Sequence, residues 1–194
     1  MLHAAALRAI LFNDPLRWQA LELVRTLQRP DCWIGAGFVR NAVWDHLHGR
    51  PPGPPPNDVD VLWFDPARAE PSEDTTLEAT LRSHQPDLAW PDLAWSVKNQ
   101  ARMHIRNHDP PYASSADAMR CWPETATAVA VRRTGPGHCE IAAPFGLDDL
   151  FALILRPTPS FAGDKHAAYL QRVRTKGWLA AWPRLRMQPA HIKP

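Results

Sequence analysis

Apolar positions along the chain recur at two spacings, and their succession predicts helices alternating with strands. Leu16, Ala20, Leu23, Val24 and Leu27 follow Asp14 and Pro15 at helical intervals, so residues 15–28 are predicted to form an amphipathic helix capped by the aspartate. CWIGAG at 32–37 reads as a short strand broken by glycines, and FVRNAVWDHLHG at 38–49 as a second helix. In that helix Val39, Val43 and Leu47 share one face, while Arg40, Asn41, Trp44 and His48 point elsewhere. Gly49 and the proline run after it end the helix.

DVDVLWF at 58–64 is predicted to be a strand, and EDTTLEATLRSH at 73–84 a helix with acidic residues in its first turn. PDLAW then occurs twice in tandem, at 86–90 and 91–95, and reads as a surface-loop insertion without function. SVKNQARMH alternates, placing Ser96, Lys98, Gln100, Arg102 and His104 on one side of a half-buried strand and Val97, Ala101 and Met103 on the other. TATAVAVRR and HCEIAA read as two strands of a hairpin joined at Gly135, Pro136 and Gly137. LDDLFALIL at 147–155 and KHAAYLQRVRTKGWLAAW at 165–182 close the chain as helices. This order predicts an α/β (α+β) fold, a mixed sheet flanked by helices with further helices at the C-terminal end.

At 194 residues the chain is long enough for one domain with a proper core. The expected organisation is a single unit over 1–194, with a core at about 15–156 and a helical segment at about 164–183. With 45% hydrophobic and 22% charged residues, the composition is that of a folded soluble protein. A net charge of +2 is too small to imply a nucleic-acid surface, so any phosphate recognition must be local. Cys32, Cys121 and Cys139 lie far apart without CxxC spacing, which argues against a disulfide framework and a cysteine zinc site and favours a cytoplasmic location. The longest apolar run, LFALIL at 150–155, is too short to span a bilayer, so no membrane association is expected.

Asp58 and Asp60 carry the chemistry. Two residues apart on a strand, they point the same way with about 6.6 Å between their Cα atoms, a separation suited to one or two Mg²⁺ ions (or Mn²⁺). Without a cation their charges repel. An exposed strand residue and a loop cap would explain the same pattern, and the glycine turn upstream tips the balance. Gly35 and Gly37 stand at a strand-to-helix junction, where missing Cβ atoms let a ligand approach and a helix N-terminus offers N–H groups to phosphate. Arg40 and Asn41 fall in the first turn of that helix, within reach of the same anion. Lys98, Arg102 and His104 would suit a triphosphate or an acceptor, and Asn99 or Gln100 could offer a carbonyl to metal or substrate.

The glycine turn followed by DxD resembles the nucleotidyltransferase superfamily typified by DNA polymerase β. More narrowly, GAGFVRNAVWD, NDVDVLWFD, VKNQARMH, TATAVAV and APFGLDDLF are similar to a bacterial family of nucleotidyltransferase proteins, formerly a domain of unknown function. The resemblance covers about Arg17 to Pro183. It implies catalytic, metal-binding roles for Asp58 and Asp60 and a nucleotide-binding turn at Gly35 and Gly37, beside which Arg40, Asn41, Lys98, Asn99, Gln100, Arg102 and His104 are expected from their positions to bind nucleotide. It implies a nucleoside triphosphate as donor and a small molecule, RNA or protein as acceptor.

The superfamily commonly places a third carboxylate on a later strand, and WSVKNQARMH contains none. Glu140 is the nearest substitute, more simply read as an exposed strand residue. Two readings follow: a metal-dependent nucleotidyltransferase, or a transferase-like module that binds nucleotide without turnover. A haloacid-dehalogenase phosphatase would need an apolar lead into its first aspartate. A DxD glycosyltransferase would be longer. His46 and His48, two apart on a helix, do not face each other as zinc ligands. Asp148 and Asp149 read as favouring a helix N-terminus, and Trp178 and Trp182 as a packing stripe. Trp63 suits either the core or a base stack.

Overall fold

The computed structural model describes residues 2–53, 58–85 and 93–190. Helices α1 (Leu2–Phe12) and α2 (Pro15–Arg25) precede strand β1 (Trp33–Gly35) and helix α3 (Gly37–Leu47). Strand β2 (Val59–Trp63), helix α4 (Pro71–Ser83), strand β3 (Trp95–Asn99) and helices α5 (Gln100–Asn107) and α6 (Ser115–Arg120) follow. Strands β4 (Ala130–Gly135) and β5 (His138–Ala142) form the hairpin, and the chain closes with α7 (Asp148–Phe151), β6 (Ile154–Leu155), α8 (His166–Lys176), α9 (Trp178–Ala181) and β7 (Arg186–Met187).

The main sheet runs β3-β2-β1-β4-β5. β2 and β3 are parallel, and the remaining neighbours are antiparallel. A mixed sheet results, as the alternation of elements predicts. Its two faces are covered unequally. Ile34, Val59, Val61, Trp63 and Val97 pack against the large helical core, whereas Trp33, Leu62, Met119, Ala128 and Ala130 make a small second cluster on the other face. Alternation along β2 therefore puts Asp60 on the thinly covered side with Leu62.

α3 lies at the centre. Every residue from Phe38 to Trp44 is buried, so the polar face expected for Arg40, Asn41 and Trp44 is enclosed by later segments. Trp44 meets Trp182 and Trp178 edge to face, with ring centres 5.1 and 5.9 Å away. Such pairs add about 0.5–1.5 kcal/mol each beyond the area they bury. Trp178 and Trp182 are thus core residues. α2 is anchored by Arg17, which pairs with Asp14 and donates its Nε to the Phe38 carbonyl at 3.1 Å.

The edge of β3 is closed by α4. Glu78 accepts the Val97 N–H at 2.9 Å, and Asp74 accepts the Asn99 N–H at 2.9 Å and the Trp63 Nε1–H at 2.8 Å. Residues four apart on one helix face thereby satisfy amides two apart on an edge strand. Trp63 belongs to the core.

The structure corrects three expectations. The strand predicted over 96–104 ends at Asn99, whose side chain accepts the Ala101 N–H at 3.0 Å and starts α5. The alternating pattern could not separate a strand from a strand that turns into a helix. The helix predicted over 147–155 stops at Phe151, because Leu153 adopts φ 57° and the chain turns into β6. The strand predicted from Thr125 begins at Ala130, after a turn that buries Thr125 and Thr127. Most of the PDLAW duplication, residues 86–92, lies outside the described residues.

Candidate active site

β1 and α3 are joined by the glycine turn. A Cβ on Gly35 would lie 2.8 Å from Leu62 Cδ1 and 3.2 Å from the Val129 carbonyl oxygen, so glycine is required there by the sheet itself. A Cβ on Gly37 would meet only Arg40 and Asn41 side-chain nitrogens at 3.5 and 3.8 Å, so Gly37 is free of that constraint. Between them Ala36 holds φ 51° and ψ −126°, a conformation disfavoured for a residue with a side chain. The turn delivers an α3 N-terminus without a side-chain cap. Its first N–H groups have no partner within the helix.

Asp60 opens beside this turn into a cleft of about 280 Å³, shared with Ala36, Lys98, Trp122, Thr127 and Arg172. Burial raises the Asp60 carboxyl above its usual range and the Asp58 charge raises it further, while Arg172, Arg40 and Lys176 pull it back. Asp58 is exposed immediately before β2. A partly buried carboxylate repelled by the charge of the aspartate two residues before it is a donor set that a divalent cation would relieve, so the two aspartates fit Mg²⁺ or Mn²⁺. Among the described residues, no third histidine, cysteine or acid gathers with them. A separate hollow of about 310 Å³ is lined by Asp14, Asp45 and His46, and contains neither the paired aspartates nor the turn.

Arg40 and Asn41 lie behind the cleft, not on its surface. They are 3% and 2% exposed. Arg40 donates to Thr127 Oγ1 at 2.8 Å and to Asn41 Oδ1 at 2.9 Å. Its guanidinium lies over the rings of Trp178 and Trp44, 4.3 and 4.9 Å from their centres. Burial pulls its pKa down to about 10, partly offset by the Glu124 carboxylate, so it stays charged at neutral pH. Arg40 reaches the cleft as a field, behind the buried Thr127 that lines it.

The residues expected on one strand face are dispersed by the turn at Asn99. Lys98 and Gln100 do line the cleft. Lys98 is tied to Glu78 at 3.0 Å. Gln100 is buried and donates to the Lys98 carbonyl at 3.0 Å. Asn99 is wholly buried and holds the Asp65 and Arg68 carbonyls at 2.8 and 2.9 Å, so it fixes backbone. Arg102 pairs with Asp74 and lines a neighbouring groove with Thr75, Ile105 and Arg106. His104 packs its ring edge to face against Tyr112. Glu140 is exposed on the outer strand β5 and is bound by Arg132 at 2.8 Å.

Sequence reasoning missed Glu124, Thr127, Arg172 and Lys176. Glu124 lies in a turn that alternation disguised as the approach to a strand. Arg172 and Lys176, four apart on α8, look like an ordinary solvated helix face. Only the docking of α8 brings their charge to Asp60.

The chain matches the family model described as nucleotidyltransferase over residues 22–187. It is similar to a structure solved by NMR and described as revealing a CCA-adding enzyme head domain, at 34% identity and a TM-score of 0.79, covering 93% of this chain and 94% of that one. A structure described as tRNA-processing enzyme complex 3 shares the fold at 19% identity and a TM-score of 0.53, covering 87% of this chain and 43% of that one. An apo form of a tRNA-processing enzyme does so at 19% identity and a TM-score of 0.51, with 87% and 44% covered. This chain therefore spans less than half the length of those two enzymes. Among curated proteins no sequence matches. With the mixed sheet, the glycine turn and the helical flanks in this order, the chain belongs to the nucleotidyltransferase family and has its polymerase β-like fold.

Proposed function

We propose that the protein transfers a nucleotidyl group from a nucleoside triphosphate to an acceptor that is a small molecule, an RNA or a protein. The observation that carries this reading is the cleft beside the glycine turn, where Asp60 is charge-coupled to Asp58 and to three cations. Asp58 and Asp60 would hold Mg²⁺ or Mn²⁺, which when bound neutralises phosphate charge and orients the attacking oxygen. The N-terminus of α3, opened by Gly37, offers N–H donors to the phosphates. An acceptor oxygen attacks the α-phosphorus, a new P–O bond forms, the bond to the bridging oxygen breaks, and pyrophosphate leaves with that electron pair. The acceptor proton passes to water. The same reading takes residues 1–194 as one working unit, since the charges of Arg172 and Lys176 on α8 act on Asp60.

A second reading, nucleotide binding without turnover, is favoured by the register of β3. Ser96 stands opposite Asp60, and the next residue on that face is Lys98. Neither is a carboxylate base. The chain is to be incubated with each labelled triphosphate and Mg²⁺ or Mn²⁺, and protein, RNA and small-molecule fractions analysed by mass spectrometry for a nucleotidyl adduct. Transfer that disappears in Asp58→Asn/Asp60→Asn supports the enzyme. Metal-dependent binding without any adduct or pyrophosphate supports the module. Binding indifferent to metal and to both substitutions overturns the enzyme reading.

A further inference from the structure

Of the cations around the cleft, two nominated by sequence are already committed. Lys98 Nζ binds Glu78 at 3.0 Å and the Val97 carbonyl at 2.8 Å. Arg102 is held by Asp74. Arg172 differs. Its Nε donates to Glu124 Oε1 at 2.9 Å and its guanidinium lies 5.3 Å from the Trp178 ring centre, while its side chain, 35% exposed, lines the cleft. A guanidinium has five N–H donors in a rigid plane, so one bond at Nε orients the group and leaves its terminal nitrogens to a further acceptor.

Glu124 makes this arrangement hard to undo. The residue is wholly buried, and among the described residues its Oε2 has no hydrogen-bond partner. A buried carboxylate with one unpartnered oxygen depends on its cation, and releasing Arg172 would leave it uncompensated. Arg40 lies close enough for the Glu124 charge to act on it. Arg40 and Arg172 also act on Asp60, so once the paired aspartates hold a divalent cation the two guanidinium groups would leave positive charge at the cleft wall for an anion to complete.

We propose that Arg172 binds the β- and γ-phosphates of the nucleoside triphosphate, with Glu124 as its positioning residue, so that the C-terminal helix α8 completes the nucleotide cleft. This rests on the reading given under the proposed function. It assigns to α8 an anion contact that the buried Arg40 cannot make.

The test uses calorimetric titration of the full chain in Mg²⁺ with inorganic tripolyphosphate, a nucleoside triphosphate and the matching monophosphate. Arg172→Gln is expected to weaken tripolyphosphate and triphosphate binding at least about tenfold, while monophosphate binding changes less than about threefold. Glu124→Gln, which leaves Arg172 charged but loosely held, is expected to lower the triphosphate-to-monophosphate preference in the same direction by a smaller factor. Arg172→Lys keeps a cation for Glu124 but loses the planar fork. It carries the test should Arg172→Gln fail to fold, with a loss of about threefold to tenfold expected. Folded Arg172 variants with an unchanged triphosphate-to-monophosphate preference overturn this inference alone. Wild-type protein that binds no triphosphate with Mg²⁺ overturns the proposed function and this inference with it.

Discussion

The guanidinium of Arg40 lies 4.3 Å from the centre of the Trp178 ring, joining the helix after the glycine turn to the C-terminal helix pair. Arg172 lies over the same tryptophan. One aromatic ring thus aligns a buried cation with a cleft-lining one. Arg40→Ala removes the stack and leaves Thr127 and Asn41 without their donor. It is expected to lower stability by about 3 kcal/mol or more, read from the urea midpoint at constant slope.

Asp60 should make the metal-free protein less stable at neutral pH. Its folded pKa is raised by burial and by Asp58 above the ordinary value of 3.8. The folded state therefore binds more protons than the unfolded state in the window above that value, and stability falls as pH rises through it. Asp60→Asn is expected to raise the melting temperature at pH 7 in chelator, with the gain shrinking as pH approaches 3.8. Added Mg²⁺ should stabilise the wild type and leave the variant unchanged. A variant less stable than wild type at pH 7 in chelator would show that Asp60 is structural.

The two glycines of the turn should separate fold from ligand. Gly35→Ala forces a Cβ to within 2.8 Å of Leu62 and 3.2 Å of backbone oxygen, and is expected to cost about 1–3 kcal/mol. Gly37→Ala meets only ordinary contacts, and alanine's helix preference, up to about 1 kcal/mol, keeps the fold intact. Its effect is expected in triphosphate affinity, measured by titration, through the side chain it adds at the helix N-terminus. Equal affinities in wild type and Gly37→Ala would remove Gly37 from the site.

Asp74 should matter more to the fold than any residue of the glycine turn. It accepts from Trp63 and the Asn99 N–H and holds Arg102. Asp74→Ala strands two buried donors and a cation, and a loss of about 3–5 kcal/mol is expected in chemical denaturation. Asn99→Ala should likewise act on stability, with the metal dependence of nucleotide binding unchanged in the folded fraction.

The cysteines should be poor nucleophiles. Burial, and then the Asp31 charge, pushes the Cys32 thiol up to about 12. Burial likewise raises Cys121 and Cys139. Alkylation at pH 7.5, counted by mass spectrometry, should be far slower in the native protein than in denaturant. Rapid native labelling of Cys32 would contradict its raised thiol pKa.

Much of the fold was legible because its signals are local. Asp14 with Pro15 fixes the start of α2, Gly137 the hairpin, and the doubled period of β2 its two faces. The stretch from Ser96 to His104 was misread for an equally local reason. Period-two alternation is satisfied by both faces of a strand, and the break at Asn99 is set by bonds to Asp65, Arg68 and Asp74, residues 25 to 34 positions away.

The sequence by itself determined the family and the paired aspartates, since a glycine turn and two carboxylates two residues apart on a strand are short-range patterns. Only the tertiary structure decided which cations face those aspartates. Arg40, adjacent to the turn in sequence, is enclosed by Trp44 and Trp178, while Arg172, more than a hundred residues later, reaches the cleft when α8 docks. Charge acts through space, and its partners are chosen by packing across the sheet rather than by order along the chain.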